Sequence, residues 1–307
     1  MKKNLLIFLL VFFMYTGHVK AQQLPLYSQY VMNDIYINPA ITGTKDYDPL
    51  VLSIHKQWVG INNSPATQTL SYHKAMAKQN IGLGGILFND TFGPESHLGL
   101  QLLFSYQFHI DRVNKVSLGL AGIAMQYKLD QRFYELTDYY DPAVTYMVEK
   151  TIVPDANIGV YFYGRKYYAG ITAAHLFQSK LKINKNIKEN KMVRHYFIMG
   201  GYKFSFPNSD IWEFEPSILL KFTEHTPLQF DINTKFYYNK NFWFGFSIRP
   251  NDSFIANIGF KYKQYYIGYA YDFTFSDLSR YTFGSQEILF GINFNEKGGK
   301  RNNRSFF

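Results

Sequence analysis

Apolar and polar residues alternate with a period of two along most of the chain. In the segment 98–108, six apolar residues fall on one face: Leu98, Leu100, Leu102, Phe104, Tyr106 and Phe108. Apart from Leu103, the other face is polar or small: Gly99, Gln101, Ser105 and Gln107. Such alternation over about ten residues, bounded by turn residues, is typical of a strand with one apolar and one polar face.

The chain contains fourteen segments of this kind, separated by turn-forming residues. They cover about 50–58, 66–76, 80–91, 97–109, 113–128, 154–163, 166–175, 194–206, 211–222, 227–238, 241–249, 253–262, 265–273 and 285–294. An even number of antiparallel strands can close into a barrel, which leaves no unpaired strand edge in lipid. A soluble β-sandwich would show the same alternation, so the strands alone do not separate the two architectures.

The lengths of the connectors favour the membrane barrel. Those that follow even-numbered strands are short: 77–79, 110–112, 164–165, 207–210, 239–240 and 263–264. The long connectors follow odd-numbered strands: 59–65, 92–96, 129–153, 176–193 and 274–284. Outer-membrane barrels have short periplasmic turns and long external loops. The sequence therefore predicts an all-β outer-membrane barrel of about 14 antiparallel strands with both termini in the periplasm.

Three segments flank the predicted barrel domain, 50–294. Residues 1–21 have the basic start, apolar centre and small-residue cleavage site of a secretory signal peptide. This segment holds three lysines and no acid, so its removal lowers the net charge from +9 to +6. Residues 22–49 form a non-strand segment, and 295–307 form a basic tail, predicted to be periplasmic, that carries Lys297, Lys300, Arg301 and Arg304.

The aromatic content, 19% of residues, adds to the membrane interpretation. Outer-membrane barrels carry aromatic girdles at both interfaces, and here the aromatic residues cluster at predicted strand ends: Tyr161, Phe162, Tyr163, Tyr167, Tyr168, Tyr237, Tyr238, Tyr265 and Tyr266. The general preference of aromatic residues for strands is the alternative explanation. The chain has no cysteine, which excludes disulfides and a cysteine nucleophile.

Charged residues of both signs fall on the polar face of the last six strands. Glu213 is one, and eight more form the predicted polar network of the lumen: Glu215, Lys221, Asp231, Lys235, Arg249, Lys261, Asp272 and Glu287. Opposite charges on adjacent strands predict bracing by cross-strand ion pairs. A ligand or ion path is the alternative, although no constriction ring of a single sign is visible.

Candidate partner-binding residues lie in the connectors of the long-loop series. They are Asp90, Phe92 and Pro94 around 92–96, Tyr139 and Tyr140 in 129–153, Phe177 in 176–193, and Arg280 in 274–284. Functional contacts concentrate on loops that a rigid scaffold positions, so these residues are predicted to touch a partner.

Signals of catalysis are weak. The histidines after residue 21 are far apart and form no HExxH pattern, and no G-x-S-x-G elbow is present. His73 beside Ser71 is the best trace of a barrel hydrolase. No catalytic, cofactor-binding or metal site is expected, and no nucleic acid partner.

Eleven short segments carry a further signal through their order along the chain. They are Tyr27–Tyr30, Asn38–Gly43, Gln57–Gly60, Pro65–Thr69, Gly82–Gly85, Asn89–Pro94, Tyr168–Ile171, Arg194–Phe197, Glu215–Ser217, Ile267–Asp272 and Gly284–Ile288. In this order they resemble the PorP/SprF family of outer-membrane proteins of the type IX secretion system. The family often has His where Gln286 stands.

The resemblance implies an outer-membrane barrel that works beside the type IX secretion machinery, in a system linked to gliding motility. It implies a partner as well: a secreted adhesin or surface protein whose C-terminal sorting domain the barrel binds, supporting secretion and surface attachment. The family supplies no catalytic residues. The competing hypothesis is a 14-stranded transport channel for a small or hydrophobic solute, and a barrel hydrolase is the third.

Overall fold

The computed structural model describes residues 33–134, 146–181, 183, 190–206, 209–224 and 226–296. Within these ranges the chain forms strands and four short 3-10 helices. The strands are β1 Asp48–Lys56, β2 Ala66–Met76, β3 Ile81–Phe92, β4 Glu95–His109, β5 Lys115–Asp130, β6 Val148–Tyr163, β7 Tyr167–Ala174, β8 Lys180–Leu181, β9 Asn190–Lys191, β10 His195–Tyr202, β11 Phe204–Phe206, β12 Ser209–Thr223, β13 Gln229–Tyr238, β14 Phe242–Arg249, β15 Ser253–Tyr262, β16 Tyr265–Thr274 and β17 Ser285–Phe294.

These strands form a closed antiparallel barrel. The first strand pairs with the last, from Asp48 opposite Phe294 to Lys56 opposite Gln286. Strands β8 and β9 make a separate small hairpin, and β11 continues β10 along β12. Fourteen strands therefore make up the wall, and the all-β, 14-stranded architecture expected from the alternation is confirmed.

Strand bounds match the sequence pattern closely, and the largest difference is at β6. That strand begins at Val148, whereas the pattern placed its start at Pro154. Proline lacks an N–H and is normally confined to strand edges. Here β7 pairs with β6 only from Ile158 onward. Pro154 therefore lies where β6 has β5 as its barrel neighbour on one side alone, and the strand continues past it.

Connector parity holds with one correction. The connector predicted as a long loop at 92–96 is a tight turn, Gly93 and Pro94, because β3 runs to Phe92 and β4 begins at Glu95. The other long connectors, 57–65, 131–147, 175–194 and 275–284, all lie at one end of the wall. We call this the long-loop end and the opposite one the short-turn end.

Alternation assigns the two faces of the wall. In β4 the six apolar residues from Leu98 to Phe108 are exposed outward, whereas Gln101, Ser105 and Gln107 are buried inside. In the part of the chain that the structure describes, no helix has the length and apolarity to cross a membrane; this does not bear on a β-barrel.

The predicted girdle tyrosines divide between the two faces. Tyr161, Tyr163, Tyr168, Tyr237 and Tyr266 are buried inside the barrel, which corrects their assignment to a lipid girdle. Neighbouring residues in a strand point to opposite faces. Their sequence neighbours therefore supply the outward aromatics of the short-turn end: Phe162, Tyr167, Tyr238 and Tyr265.

The flanking segments are described in part. Residues 33–47 are non-strand, and β1 begins two residues earlier than the pattern indicated, at Asp48. The signal peptide at 1–21 and the basic tail from residue 297 lie outside the described residues and stay predictions.

Candidate functional site

Residues 33–47 lie inside the barrel and form what we call the lumen plug. Two 3-10 turns, Asp34–Tyr36 and Pro39–Ile41, give the plug a compact backbone. Asn38 fixes the second turn, because its Oδ1 accepts a hydrogen bond from the Ala40 N–H at 2.9 Å and its Nδ2 donates to the Val160 carbonyl at 3.0 Å. The sequence indicated that this segment is non-strand but left its location open.

Glycines on the inner wall make room for the plug backbone. A Cβ at Gly82 would lie 2.1 Å from the Thr42 carbonyl oxygen, and one at Gly119 would lie 2.1 Å from the Ala40 nitrogen. Real Cβ atoms do not approach backbone this closely. The wall and the plug are therefore in direct backbone contact. Residues larger than glycine at these wall positions would occupy the space that the motif Asn38–Gly43 takes up.

Polar side chains of the wall bind the plug backbone. Ser105 Oγ donates to the Thr42 carbonyl at 2.6 Å, and Gln107 Nε2 donates to the Gly43 carbonyl at 2.7 Å. The Gly43 N–H donates to His73 Nδ1 at 2.9 Å. His73, which the sequence linked to a possible hydrolase, is thus used to hold the plug.

Apolar inward residues pack against the same segment. Leu103, the exception to the alternation in β4, is 3% exposed and belongs to one core cluster with Ile35, Ile37, Ala40 and Ile41. An apolar residue on the lumen face is therefore explained by the plug it contacts.

The predicted polar network lies on the other side of the lumen. Asp231 is its best-connected member: Lys221 Nζ lies 2.8 Å from Asp231 Oδ2, and Arg249 Nε lies 2.9 Å from Asp231 Oδ1. Arg249 also reaches Asp252 at 3.0 Å, a residue that the sequence prediction did not include. One carboxylate thus bridges two cations on the neighbouring strands β12 and β14.

The other predicted network residues are buried in the same region. Glu215 Oε2 accepts a hydrogen bond from the Tyr237 hydroxyl at 2.8 Å, and Lys235 lies opposite Glu215 in the register of β12 with β13. Lys261 pairs with Glu296 at 2.7 Å. The remaining two, Asp272 and Glu287, are 4% and 1% exposed.

Two further contacts link acidic residues of this region to residues outside the predicted network. Ser53 Oγ donates to Glu287 Oε1 at 2.8 Å, which ties the network to β1. Lys203 Nζ pairs with Glu213 at 2.8 Å. The sequence prediction drew its network from the last six strands alone, and Lys203 falls in the eighth predicted segment, 194–206.

The predicted partner-binding residues do not form one cluster. Asp90 is buried inside β3, where its Oδ1 accepts a hydrogen bond from Thr67 Oγ1 at 2.6 Å, so it is no loop residue. Phe92 ends the same strand, half-buried, with its ring 5.3 Å from that of His97. Pro94 occupies the tight turn. These placements follow from the shortness of the β3–β4 connection.

The remaining candidates lie on the long loops. Phe177 is 65% exposed, and Arg280 is exposed in the 3-10 helix Asp277–Arg280. Tyr139 and Tyr140 lie outside the described residues.

Hydrogen bonds hold the base of the loop 175–194. His175 Nδ1 lies 3.0 Å from Asp155 Oδ2, and the Phe177 N–H donates to Asp155 Oδ1 at 3.1 Å. Arg194 Nη2 donates to the Leu176 carbonyl at 2.8 Å. Phe177 is therefore presented from an ordered base, which the scattered histidines and acids of the sequence did not reveal.

The loops 57–65 and 275–284 are joined across the contact between the first and last strands. The Val59 N–H donates to the Gly284 carbonyl at 2.8 Å, and the Phe283 N–H donates to the Val59 carbonyl at 2.7 Å. Tyr281 and Phe283 are each 74% exposed on this joined pair. Large apolar side chains therefore stand out from a fixed backbone.

A cavity of about 270 Å³ lies inside the wall between the plug and the long-loop end. Tyr36 and Ile37 of the plug contribute to its lining, together with Phe92 and the loop residues Leu181 and Met192. The cavity is thus bounded by the plug, the strands and a loop, and most of these side chains are apolar or aromatic.

Comparison with known proteins assigns the chain to a family. The pattern of the family "Type IX secretion system membrane protein PorP/SprF" matches residues 19–292. The chain belongs to the PorP/SprF family. Because it belongs to this family and folds as a closed 14-stranded barrel, the protein is an integral outer-membrane β-barrel of the type IX secretion system. The family resemblance stated from the ordered segments is confirmed.

Among curated proteins no match was found. Solved structures similar to this PorP/SprF barrel include the Pseudomonas putida toluene transporter TodX, with a TM-score of 0.47, 10% identity, and coverage of 85% of this chain and 93% of that one. A Pseudomonas aeruginosa FadL homologue gives 0.46 at 7% identity, covering 90% and 95%. The CymD monoaromatic hydrocarbon channel gives 0.46 at 10% identity, covering 89% and 94%. Similarity at this level carries no information about what the PorP/SprF barrel binds.

Proposed function

We propose that this barrel binds the C-terminal domain of a secreted adhesin or surface protein at its long-loop end and thereby supports secretion and surface attachment. The observation that carries the proposal is the set of exposed apolar side chains on tied loops: Phe177, Tyr281 and Phe283. Exposed aromatic side chains held on a fixed backbone are typical of the anchor residues of protein-binding surfaces. Membership of a type IX secretion family supports the same role.

The proposal places the long-loop end outside the cell and the short-turn end in the periplasm. Outer-membrane barrels follow this arrangement, because long loops are tolerated on the external side and the periplasmic turns are tight. A surface protein held at the external end would then be anchored by the membrane-embedded wall.

A transport channel is the second candidate, favoured by the apolar cavity. The lumen plug argues against a transport channel, because the plug residues Asn38 and Ala40 are fully buried against the wall. The ion-paired side chains fill the opposite part of the lumen. We therefore favour an interaction barrel without catalytic activity.

The test is surface display in cells that produce a cargo with the type IX C-terminal domain. Phe177→Ala and Tyr281→Ala should each lower display several-fold, because each removes an exposed contact. Phe273→Ala is the matched control, since Phe273 is 47% exposed on the outward face of β16 below the loop. Cargo is quantified by antibody labelling of intact cells, and barrel abundance by its heat-modifiable migration in gels.

Two outcomes would contradict the proposal. Unchanged display in a variant that combines Phe177→Ala, Tyr281→Ala and Phe283→Ala would exclude the loop surface. Stable conductance of the purified wild-type barrel in planar bilayers, together with uptake of an apolar solute, would favour the transport channel.

A further inference from the structure

The cavity at the long-loop end combines walls that are mostly apolar with a smaller number of polar groups. Phe88, Met125, Phe197 and Leu219 line it. Its volume of about 270 Å³ exceeds the roughly 150 Å³ of an engineered apolar cavity that stays dry and binds benzene. A site of this size and lining suits one aromatic or long aliphatic group.

Plug residues close the cavity on the side of the short-turn end. Tyr36 and Ile37 line it there, and Ile37 is 8% exposed within the core cluster that joins the plug to the wall. A group that enters from the long-loop end therefore meets the plug. This geometry suits a side chain that is inserted and held better than a solute in transit.

Gln101 supplies the polar part of the site. It lines the cavity on β4 and is 6% exposed. The Gln101 amide makes no hydrogen bond to any of the described residues. Two charged groups of the lining are engaged elsewhere: Asp90 binds Thr67, and Lys221 pairs with Asp231.

An unpaired buried amide is costly unless a ligand satisfies it. The Gln101 side chain offers both a donor and an acceptor, the pair that a peptide group requires. A purely apolar solute would leave both unsatisfied.

We propose that this cavity binds a single aromatic or long aliphatic side chain of a peptide segment, with the adjoining peptide group hydrogen-bonded to the Gln101 amide. This deepens the proposed function, on which it rests, since the segment would come from the secreted partner at the same end of the barrel. A side chain inserted in a closed pocket is the usual anchor of a protein interface.

Methionine-methyl NMR of the mature chain in lipid nanodiscs tests the proposal directly. Met125 and Met192 line the cavity, whereas Met76 lies at the short-turn end of β2 and reports on unrelated effects. The probes are N-acetyl-tryptophanamide, a side chain between two amides, and toluene, which has no hydrogen-bonding group. We expect saturable shifts of Met125 and Met192 with the amide probe and none of Met76.

Two variants separate the apolar and the polar parts of the site. Ala174→Phe adds a ring from a residue that lines the cavity and should abolish binding, whereas Ala173→Phe adds the same ring to the outward face of β7 and should leave binding unchanged. Gln101→Leu should weaken the amide probe roughly three- to tenfold, the worth of one ordinary hydrogen bond, and should not weaken toluene. Heat-modifiable migration establishes that each variant is folded.

Three results would overturn the proposal. They are the absence of saturable shifts at Met125 and Met192, amide-probe binding that survives in folded Ala174→Phe, and toluene binding tighter than the amide probe with no response to Gln101→Leu. The last would assign the cavity to a free apolar solute. Failure of the loop surface reads out differently, since Phe177→Ala leaves the cavity and its NMR shifts intact.

Discussion

The two sides of the barrel lumen are filled in different ways. On the side of β3 to β10 the wall carries small residues, and the lumen plug packs its own backbone against them. On the side of β12 to β17 the lumen is filled by long side chains of the wall strands, and ion pairs around Asp231 hold these side chains in place. We call these the plug side and the charged side.

Each side of the lumen can therefore accommodate a different kind of substitution. Backbone cannot rotate away from a clash as a side chain can. An atom added to the wall on the plug side would therefore clash with the plug backbone. On the charged side, the groups in contact are the ends of flexible side chains, and a second substitution can restore the fit or the charge.

The largest effect is expected from Gly119→Val on the plug side. The added side chain would meet the Ala40 backbone at 2.1 Å from its first carbon, so we expect little or no folded barrel or, where it folds, a barrel with a displaced plug and measurable conductance. Gly122→Val on the same strand is the control, since nothing lies within 4 Å of a Cβ there. Folded Gly119→Val with wild-type stability and no conductance would contradict the backbone contact.

Asp231→Ala should give the next largest loss, on the charged side. It removes the carboxylate that pairs with both Lys221 and Arg249, and breaking a buried ion pair costs about 3–5 kcal/mol. The free energy of unfolding is measured by urea titration in lipid vesicles. Asp252→Ala should cost clearly less, because Asp252 is the more exposed partner; equal losses would remove Asp231 from the centre of the network.

Gly259→Ala tests whether the charged side can be repaired. A Cβ at Gly259 would lie 1.9 Å from the ring of Trp243 on the adjacent strand, and such overpacking costs about 1–3 kcal/mol. Because the obstacle is a side chain, Trp243→Phe should recover part of the loss, seen as a coupling energy in a double-mutant cycle. Strict additivity of the two substitutions would contradict the contact.

A smaller effect is expected from Asn38→Ala in the plug. The substitution removes the cap of the second 3-10 turn and the bond to Val160, and loss of a side-chain cap costs about 0.5–2 kcal/mol. Asn89→Ala provides the comparison, since Asn89 makes an exposed bond to Gln68 and should change the unfolding free energy by less than about 0.5 kcal/mol. Equal effects would mean that Asn38 does not hold the plug.

Much of the fold could be predicted from the sequence, because alternation reports the two faces of a strand directly. Alternation also placed the charged residues of β12 to β17 on the lumen face. The outer face of a membrane barrel contacts lipid, so charged side chains at alternate positions are expected to face the lumen. It assigned Tyr161 and Tyr237 to the wrong face because aromatic residues suit lipid and lumen equally.

The plug could not be located in this way. A non-strand segment has no period that points to its surroundings, and its hydrogen bonds to Ser105 and Gln107 join residues far apart in sequence. One signal was present: inward positions on the plug side are repeatedly glycine, as at Gly82 and Gly119. Such glycines indicate that another group approaches the wall closely at these positions.

The joined loops 57–65 and 275–284 have a consequence for the strength of binding. Ordering a flexible loop on association consumes part of the interaction free energy. Here the bonds between Val59, Phe283 and Gly284 fix the backbone of the free barrel. In the proposed complex, Tyr281 and Phe283 would therefore bind with that entropy already lost on folding. In the proposed complex, a rim that is ordered in advance would give a longer residence time for the same contacts, as surface attachment of the proposed partner requires.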